Sequence, residues 1–181
     1  MNLNKKNILI TGGTGSFGKA CVKHILKNYK PNKLVIFSRD ELKQFEMLQE
    51  LQDKKKNSCL RFFLGDVRDK EFIDSIFKGV DIVINMAALI SIPYSYKASK
   101  SYIDTNVLGL LNLMNSSISA NVKQFIQIST SEVYGSPKNV PINENFPLNA
   151  QSPYAASKIA ADQLALSFHK SFNLPVTIVR P

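Results

Sequence analysis

The sequence predicts an α/β chain, a doubly wound parallel sheet with helices packed on both faces. Three observations carry that prediction. Short runs of β-branched and other apolar residues recur along the chain, helical patterns fill the intervals, and a glycine-rich turn follows the first run directly. Strands that are apolar throughout, instead of alternating, belong to sheets buried on both faces, and such sheets are parallel. The runs read as strands are Asn7–Thr11, Leu34–Phe37, Leu60–Leu64, Asp81–Asn85, Gln124–Ser129 and Val176–Val179.

The intervening segments read as helices. Glu41–Gln52 carries Leu42, Phe45, Leu48 and Leu51 at helical spacing, and Ser99–Ala120 carries Ile103, Val107, Leu110, Leu111 and Met114. Ser152 can cap the last helix and Pro153 suits its first turn. That helix runs to about Phe172 and stops before Leu174-Pro175, because the residue before a proline resists helical angles. Residues 136–151, with Pro137, Pro141 and Pro147, read as a structured loop inside a single domain spanning 1–181.

Composition narrows the class. With 181 residues and 44% hydrophobic content the chain can bury one core of ordinary size. A formal charge of +9 and a pI near 9.5 favour anionic partners. The lysines are scattered, however, and the tight cluster Lys54-Lys55-Lys56 has no aromatics interleaved. It reads as a solvated loop, so nucleic acid is not an expected partner. Cys21 and Cys59 have neither metal nor disulfide spacing and fit a reducing compartment; no metal site is expected. No run approaches the ~20 apolar residues of a membrane span. The N-terminal apolar run is too short for a signal peptide. A soluble, cytoplasmic protein with no membrane partner is the expectation.

Tyr154 and Lys158 are the most informative pair. At i, i+4 on a helix they share a face, so the ammonium can stabilise a phenolate. Ser129-Thr130-Ser131-Glu132 lies upstream. Together these groups can take a proton from an alcohol while a neighbouring cofactor accepts hydride. Each also has an ordinary reading: an exposed pair, hydroxyls capping a strand end, and a surface glutamate.

The turn Thr11-Gly12-Gly13-Thr14-Gly15-Ser16-Phe17-Gly18 stands between the first strand and a helix. Gly12, Gly15 and Gly18, with Ser16 and Phe17 between them, suit a pyrophosphate approached closely by backbone at a helix N-terminus. About twenty residues on, dinucleotide sites that prefer NAD carry an acid. Here Ser38 and Arg39 occupy the position, which suits a 2′-phosphate and hence NADP; Asp40 next door keeps NAD open, and Lys43 stands one turn into the helix. Asp66, with Val67, can accept from the adenine amino group or cap the next helix. Ala87 and Ala88 let backbone pass close to a cofactor, and Asn106, polar among apolar neighbours, can brace the site. His24 and His169 read as surface residues.

Taken together, these residues resemble the extended short-chain dehydrogenase/reductase family, the nucleotide-sugar epimerases and dehydratases. The resemblance rests on the glycine turn, Asp66, Ala87-Ala88, Asn106, Ser129-Thr130, Tyr154 to Lys158 and Arg180-Pro181. It implies a Rossmann-like sheet in the order 3-2-1-4-5-6. It also implies a smaller C-terminal substrate domain that this chain, ending after its sixth strand, would lack. Ser38 to Met47 and Gly65 to Asp69 look like the inverting UDP-N-acetylglucosamine 4,6-dehydratases, which are NADP enzymes. From Ala87 onward the chain is more similar to retaining dehydratases of the GDP-mannose and legionaminic-acid type. The inverting branch would carry Asp-Lys near position 131, where this chain has Ser131-Glu132.

The implied activity is a nucleotide-sugar 4,6-dehydratase, a lyase of polysaccharide biosynthesis, with UDP-N-acetylglucosamine as the expected substrate. Tyr154 would act as base, Lys158 would lower its pKa and hold the nicotinamide ribose, and Thr130 or Ser129 would bond the same sugar oxygen. Glu132 would remove the C5 proton, and Ser131 stands where many relatives carry an acidic aspartate. A 4-epimerase or a UDP-glucuronate decarboxylase is the alternative within the fold; a cofactor-binding fragment without turnover is the alternative outside it. The family also implies a homodimer in which the 99–120 and 152–172 helices pair into a four-helix bundle.

Overall fold

The computed structural model describes residues 1–51, 58–137 and 139–181, so the Lys54–Lys56 cluster lies outside the described residues. The strands are β1 (Asn7–Thr11), β2 (Lys33–Ser38), β3 (Leu60–Leu64), β4 (Ile82–Asn85), β5 (Gln124–Ile128) and β6 (Val176–Val179). They form one sheet in the order β3-β2-β1-β4-β5-β6, parallel at every pairing, as the sequence predicts. The direction of winding reverses between β1 and β4. In such sheets the crevice beyond the carboxyl ends of those two strands is where ligands bind.

Successive side chains of a strand point to opposite faces, and on the central strands β1, β2 and β4 both faces are buried. Ile8, Ile10, Leu34, Ile36, Ile82 and Ile84 meet Val22 and Ile25 of α1 (Ser16–Asn28) and Met47 of α2 (Glu41–Glu50). Leu9, Val35, Phe37, Val83 and Phe125 meet the other layer. That layer is α3 (Lys70–Ile76), α6 (Gly109–Ser119) and α7 (Pro153–Phe172), with α4 (Ile92–Lys97) and α5 (Ser99–Tyr102) leading into it. Burial of each such side chain is worth ~1.5–3 kcal/mol. This two-sided burial is why the strands carry unbroken apolar runs.

Two helical expectations are corrected. First, α2 does not turn its leucine-rich stripe to the sheet: Leu42, Phe45 and Leu48 are 66%, 57% and 48% exposed, while Gln44 and Met47 are buried. Gln44 Nε2 donates to the carbonyls of Ser38 (3.2 Å) and Phe63 (2.7 Å) and to Ser38 Oγ (3.0 Å). Satisfying those strand-end acceptors fixes the rotation of the helix against its own apolar pattern. Second, the stretch 99–120 is not one regular helix, because a π-helical segment at Ile103–Leu108 separates α5 from α6. That wider turn carries the buried Thr105 and Asn106. The short helix α3 is capped by Asp69 and not by Asp66, with Asp69 Oδ1 accepting from Phe72 N at 3.0 Å.

The last helix follows its signals. Ser152 Oγ accepts from Ala155 N at 3.0 Å, Pro153 sits in the first turn, and α7 ends at Asn173 in the left-handed region. The loop before it is tied back by Asn149 N to Val133 O (2.8 Å) and Ser136 Oγ to Gln151 Oε1 (3.1 Å). Among the described residues no helix is long and apolar enough to cross a membrane.

Candidate active site

The glycine turn is built to let two backbones touch. Gly12 has φ +65°, and a Cβ there would lie 2.8 Å from Ala87 N and the Met86 carbonyl. A Cβ on Gly18 would lie 2.5 Å from Gly13 O, so turn and helix also close on each other. Gly15, the N-cap of α1, offers no side-chain cap bond. The first amides of that helix therefore remain available to an anion.

A groove of about 1110 Å³ opens beside this turn. One wall is Gly12, Gly15, Ser16, Phe17 and Gly18; the others are Ser38 and Arg39 after β2, Asp66 and Val67 after β3, and Ala87 and Ala88 after β4. Lys43 reaches the same wall, as do Arg68 and Thr105, neither of which the sequence singled out. Arg68 had a signal in its spacing from Asp66. Thr105 had none beyond adjacency to Asn106.

At the outer rim Asp66 bridges two arginines. Arg68 approaches it with Nε at 3.0 Å and Nη2 at 2.8 Å, and Arg39 Nη1 lies at 3.4 Å. Burial works against the Asp66 carboxylate, but the Arg68 hydrogen bonds and both guanidinium charges outweigh it and hold its pKa below the usual range. Asp66 Oδ1 also accepts from Arg68 N at 2.9 Å, closing a local turn. Asp40, by contrast, is spent on the helix: it accepts from Lys43 N at 3.0 Å and pairs with Lys43 Nζ at 2.9 Å.

Beneath the groove a buried polar chain crosses the sheet. Ala87 N donates to Thr11 Oγ1 (3.2 Å), which bonds Asn85 Oδ1 (2.5 Å); Asn85 Nδ2 donates to Gln127 Oε1 (2.8 Å). Gln127 Nε2 reaches Ile128 O at 3.3 Å, the same carbonyl that accepts from Lys158 Nζ at 2.7 Å. Ile128 lines the groove. Lys158 is 3% exposed, and burial lowers its pKa to about 8 against the opposing pull of Asp162.

Asn106 lies off the groove and does brace it. Its Oδ1 accepts from Leu89 N (2.8 Å), and its Nδ2 donates to Leu89 O (3.0 Å) and Ser157 Oγ (2.9 Å). The loop after β4 is thereby clamped to α7 beside Lys158. Tyr154 is buried one turn before Lys158, against the Tyr102 ring at 6.2 Å. Thr130 Oγ1 caps the 3-10 turn Ser131–Tyr134, accepting from Glu132 N at 3.2 Å. Ser131 and Glu132 are exposed, and Ser129 is buried at the end of β5.

The Tyr154 phenol corrects one expectation. Its pKa is raised, first by burial and further by the Glu132 carboxylate, with a Thr130 hydrogen bond acting in the opposite direction. Lys158 does not lower it here, because its ammonium is directed to the Ile128 carbonyl. The groove nonetheless fits a nicotinamide dinucleotide. It offers a helix N-terminus for pyrophosphate and cations at the β2 end, and Thr105, which lines it, carries a buried Oγ1 without a hydrogen-bond partner.

The sheet order, the glycine turn and the groove at the switch point define a Rossmann-like dinucleotide-binding architecture. Residues 9–181 match the GDP-mannose 4,6 dehydratase family, and the chain belongs to it. It is 44% identical over 161 residues to the inverting UDP-N-acetylglucosamine 4,6-dehydratase of Campylobacter jejuni, covering 89% of this chain and 43% of that one. Among solved structures, the dTDP-glucose 4,6-dehydratase DesIV of Streptomyces venezuelae, with NAD bound, superposes with a TM-score of 0.87 at 29% identity. That match covers 96% of this chain and 55% of DesIV. A UDP-N-acetylglucosamine 4-epimerase from Methanobrevibacter ruminantium, in complex with UDP-N-acetylmuramic acid, gives 0.86 at 29% identity, covering 99% and 55%. The chain thus spans about half the length of the relatives it matches.

Proposed function

We propose that the protein serves NADP-linked 4,6-dehydration of a nucleotide sugar, with UDP-N-acetylglucosamine as substrate. The observation that carries this reading is the convergence of Tyr154, Thr130 and Glu132 beside a Lys158 whose ammonium bonds the groove-lining Ile128 carbonyl. Reversible hydride transfer is the chemistry NADP supplies when bound. Gly12, Gly15 and the start of α1 would hold its pyrophosphate, Asp66 and Val67 its adenine, and Lys158 its nicotinamide ribose. Arg39 and Lys43 would meet the 2′-phosphate, since Asp40, the acid that would favour NAD, is already engaged with Lys43.

On the substrate, Tyr154 in its phenolate form would take the proton of the sugar 4-hydroxyl as C4 gives up its hydrogen as hydride, while Thr130 bonds the same oxygen. The resulting 4-ketone acidifies C5. Glu132 removes the C5 proton and passes it to the departing C6 hydroxyl, so one water is lost. C6 regains hydrogen and C5 a proton, giving a 4-keto-6-deoxy sugar. Pairing of α7 and the α5–α6 stretch with a second copy belongs to the same reading: Ile103, Leu108 and Phe172 are 45%, 47% and 57% exposed.

Proton NMR of UDP-N-acetylglucosamine incubated with the protein and NADP tests the reaction. A 4-keto-6-deoxy product is expected; an unchanged 6-hydroxyl with inverted C4 would establish epimerisation instead. The dinucleotide-shaped groove at the β1/β4 switch point supports a second reading, cofactor binding without turnover. Tight NADPH binding with no product at high protein concentration would assign it.

A further inference from the structure

One buried charge near the site is used by nothing described so far. Asp162 lies one helical turn beyond Lys158 on α7 and is 0% exposed. Its Oδ2 accepts from Arg180 Nε at 3.0 Å, at the end of β6, while its Oδ1 is buried without a hydrogen-bond partner. Arg180 is itself held, donating from Nη1 to Tyr134 Oη at 2.7 Å with its guanidinium 5.2 Å from the centre of that ring. A carboxylate is taken fully out of water only where opposite charge compensates it. Arg180 uses one oxygen. The other remains, with Lys158 the nearest cation on its own helix face.

We propose that Asp162 is the positioning residue of Lys158: its carboxylate, shared with Arg180, keeps the buried ammonium charged and seated on the Ile128 carbonyl. This rests on the reading of Lys158 as the lysine that serves the cofactor. The groups around Lys158 leave Asp162 as its buried anion. From α7 come Tyr154 and Asp162, and from β5 only a neutral carbonyl. On the Asp162 side, Arg180 at the end of β6 also holds Tyr134 of the 3-10 turn, whose Glu132 is exposed, and Asn106 of the π-helical segment bonds Ser157, the residue before Lys158. Without Asp162, the buried Lys158 ammonium and the partly buried Arg180 guanidinium would share no carboxylate. The lysine would then lose its proton at lower pH, because desolvation and a like charge both disfavour the ammonium.

The effect can be read without turnover, by NMR of the lysine side-chain Cε and Nζ signals across a pH series. In Asp162→Asn the Lys158 midpoint should fall by about one pH unit or more. Asp162→Glu should restore part of that shift, and Arg180→Met should move the midpoint upward by removing the competing cation. In the unsubstituted protein the Asp162 carboxyl carbon should change with the Lys158 midpoint, a readout that needs no variant to fold. An unmoved midpoint in folded Asp162→Asn, or a flat Asp162 signal through the Lys158 titration, would overturn the proposal. If the midpoints shift as stated but no dehydrated product forms, the positioning role stands and the dehydratase reading alone fails.

Discussion

Two aspartates in this fold are each paired with arginine, and they are opposites in environment. Asp66 is flanked by Arg39 and Arg68 at the rim of the groove, where the arginine side chains remain 49% and 47% exposed. Asp162, fully buried beneath the site, pairs with Arg180 and lies one helical turn beyond Lys158. At the rim, water screens the charges and the side chains can exchange partners, so the cluster suits a ligand that comes and goes. In the interior, removing one member strands another, so the cluster sets the protonation and placement of its neighbours. An aspartate paired with arginine thus suits recognition at the rim and positioning in the interior.

The largest effect belongs to Tyr154, one helical turn before the lysine that the buried cluster supports. Tyr154→Phe should lower dehydration by about 10²–10⁴-fold while leaving NADPH affinity nearly unchanged. Steady-state rates and fluorescence titration check the two halves of that statement. Next comes the buried pair itself: Arg180→Met should cost ~3–5 kcal/mol of unfolding free energy in urea, since it leaves Asp162 without its hydrogen-bonded cation. If it cost no more than a rim substitution, the contrast between the two clusters would collapse.

The pH dependence of stability sharpens the same point. The folded pKa of Lys158 is about 8, below the ordinary lysine value of 10.5. The unfolded chain thus holds this proton where the folded chain has released it, so Lys158 makes stability rise with pH from about 8 to 10.5. Below that window the full cost of burying the ammonium is present. In Lys158→Met this component of the rise should vanish from urea midpoints measured at pH 7.5, 9 and 10.5, about the edges and middle of the window.

The sequence made the centre of the sheet legible because β1, β2 and β4 are buried on both faces, and an unbroken apolar run has few other meanings. The glycine turn was readable for a similar reason: Gly12 meets backbone at 2.8 Å, a constraint no other residue satisfies. What escaped was decided by partners distant in sequence. The rotation of α2 is set by Gln44 binding carbonyls on two strands, which its own leucine pattern contradicts. Thr105 reaches the groove only because a π-helical segment interrupts an otherwise helical stretch. The pairing of Asp162 with Arg180 joins residues 18 apart across a helix and a strand. Tyr154 and Lys158 were visible as a pair, but not the carbonyl that receives the lysine.

The rim makes the smaller predictions. Arg39→Ala should weaken NADPH binding by about 10–100-fold relative to NADH, as expected for loss of a charge-assisted bond to a 2′-phosphate. Equal loss for both cofactors would show that Arg39 does not read that phosphate. Smallest of all is the structural cost at Arg68. Although it approaches Asp66 through two nitrogens, the pair is half in water, and Arg68→Met should change stability by no more than ~1 kcal/mol. That small difference should shrink further between 0.05 and 0.5 M salt, about the range over which screening removes exposed pairs. The cost of Arg180→Met should hold nearly constant over the same range. Urea titrations of both variants at both salt concentrations would separate a screened aspartate from a buried one, and parallel salt responses would mean that Asp162 is far more hydrated than its burial indicates.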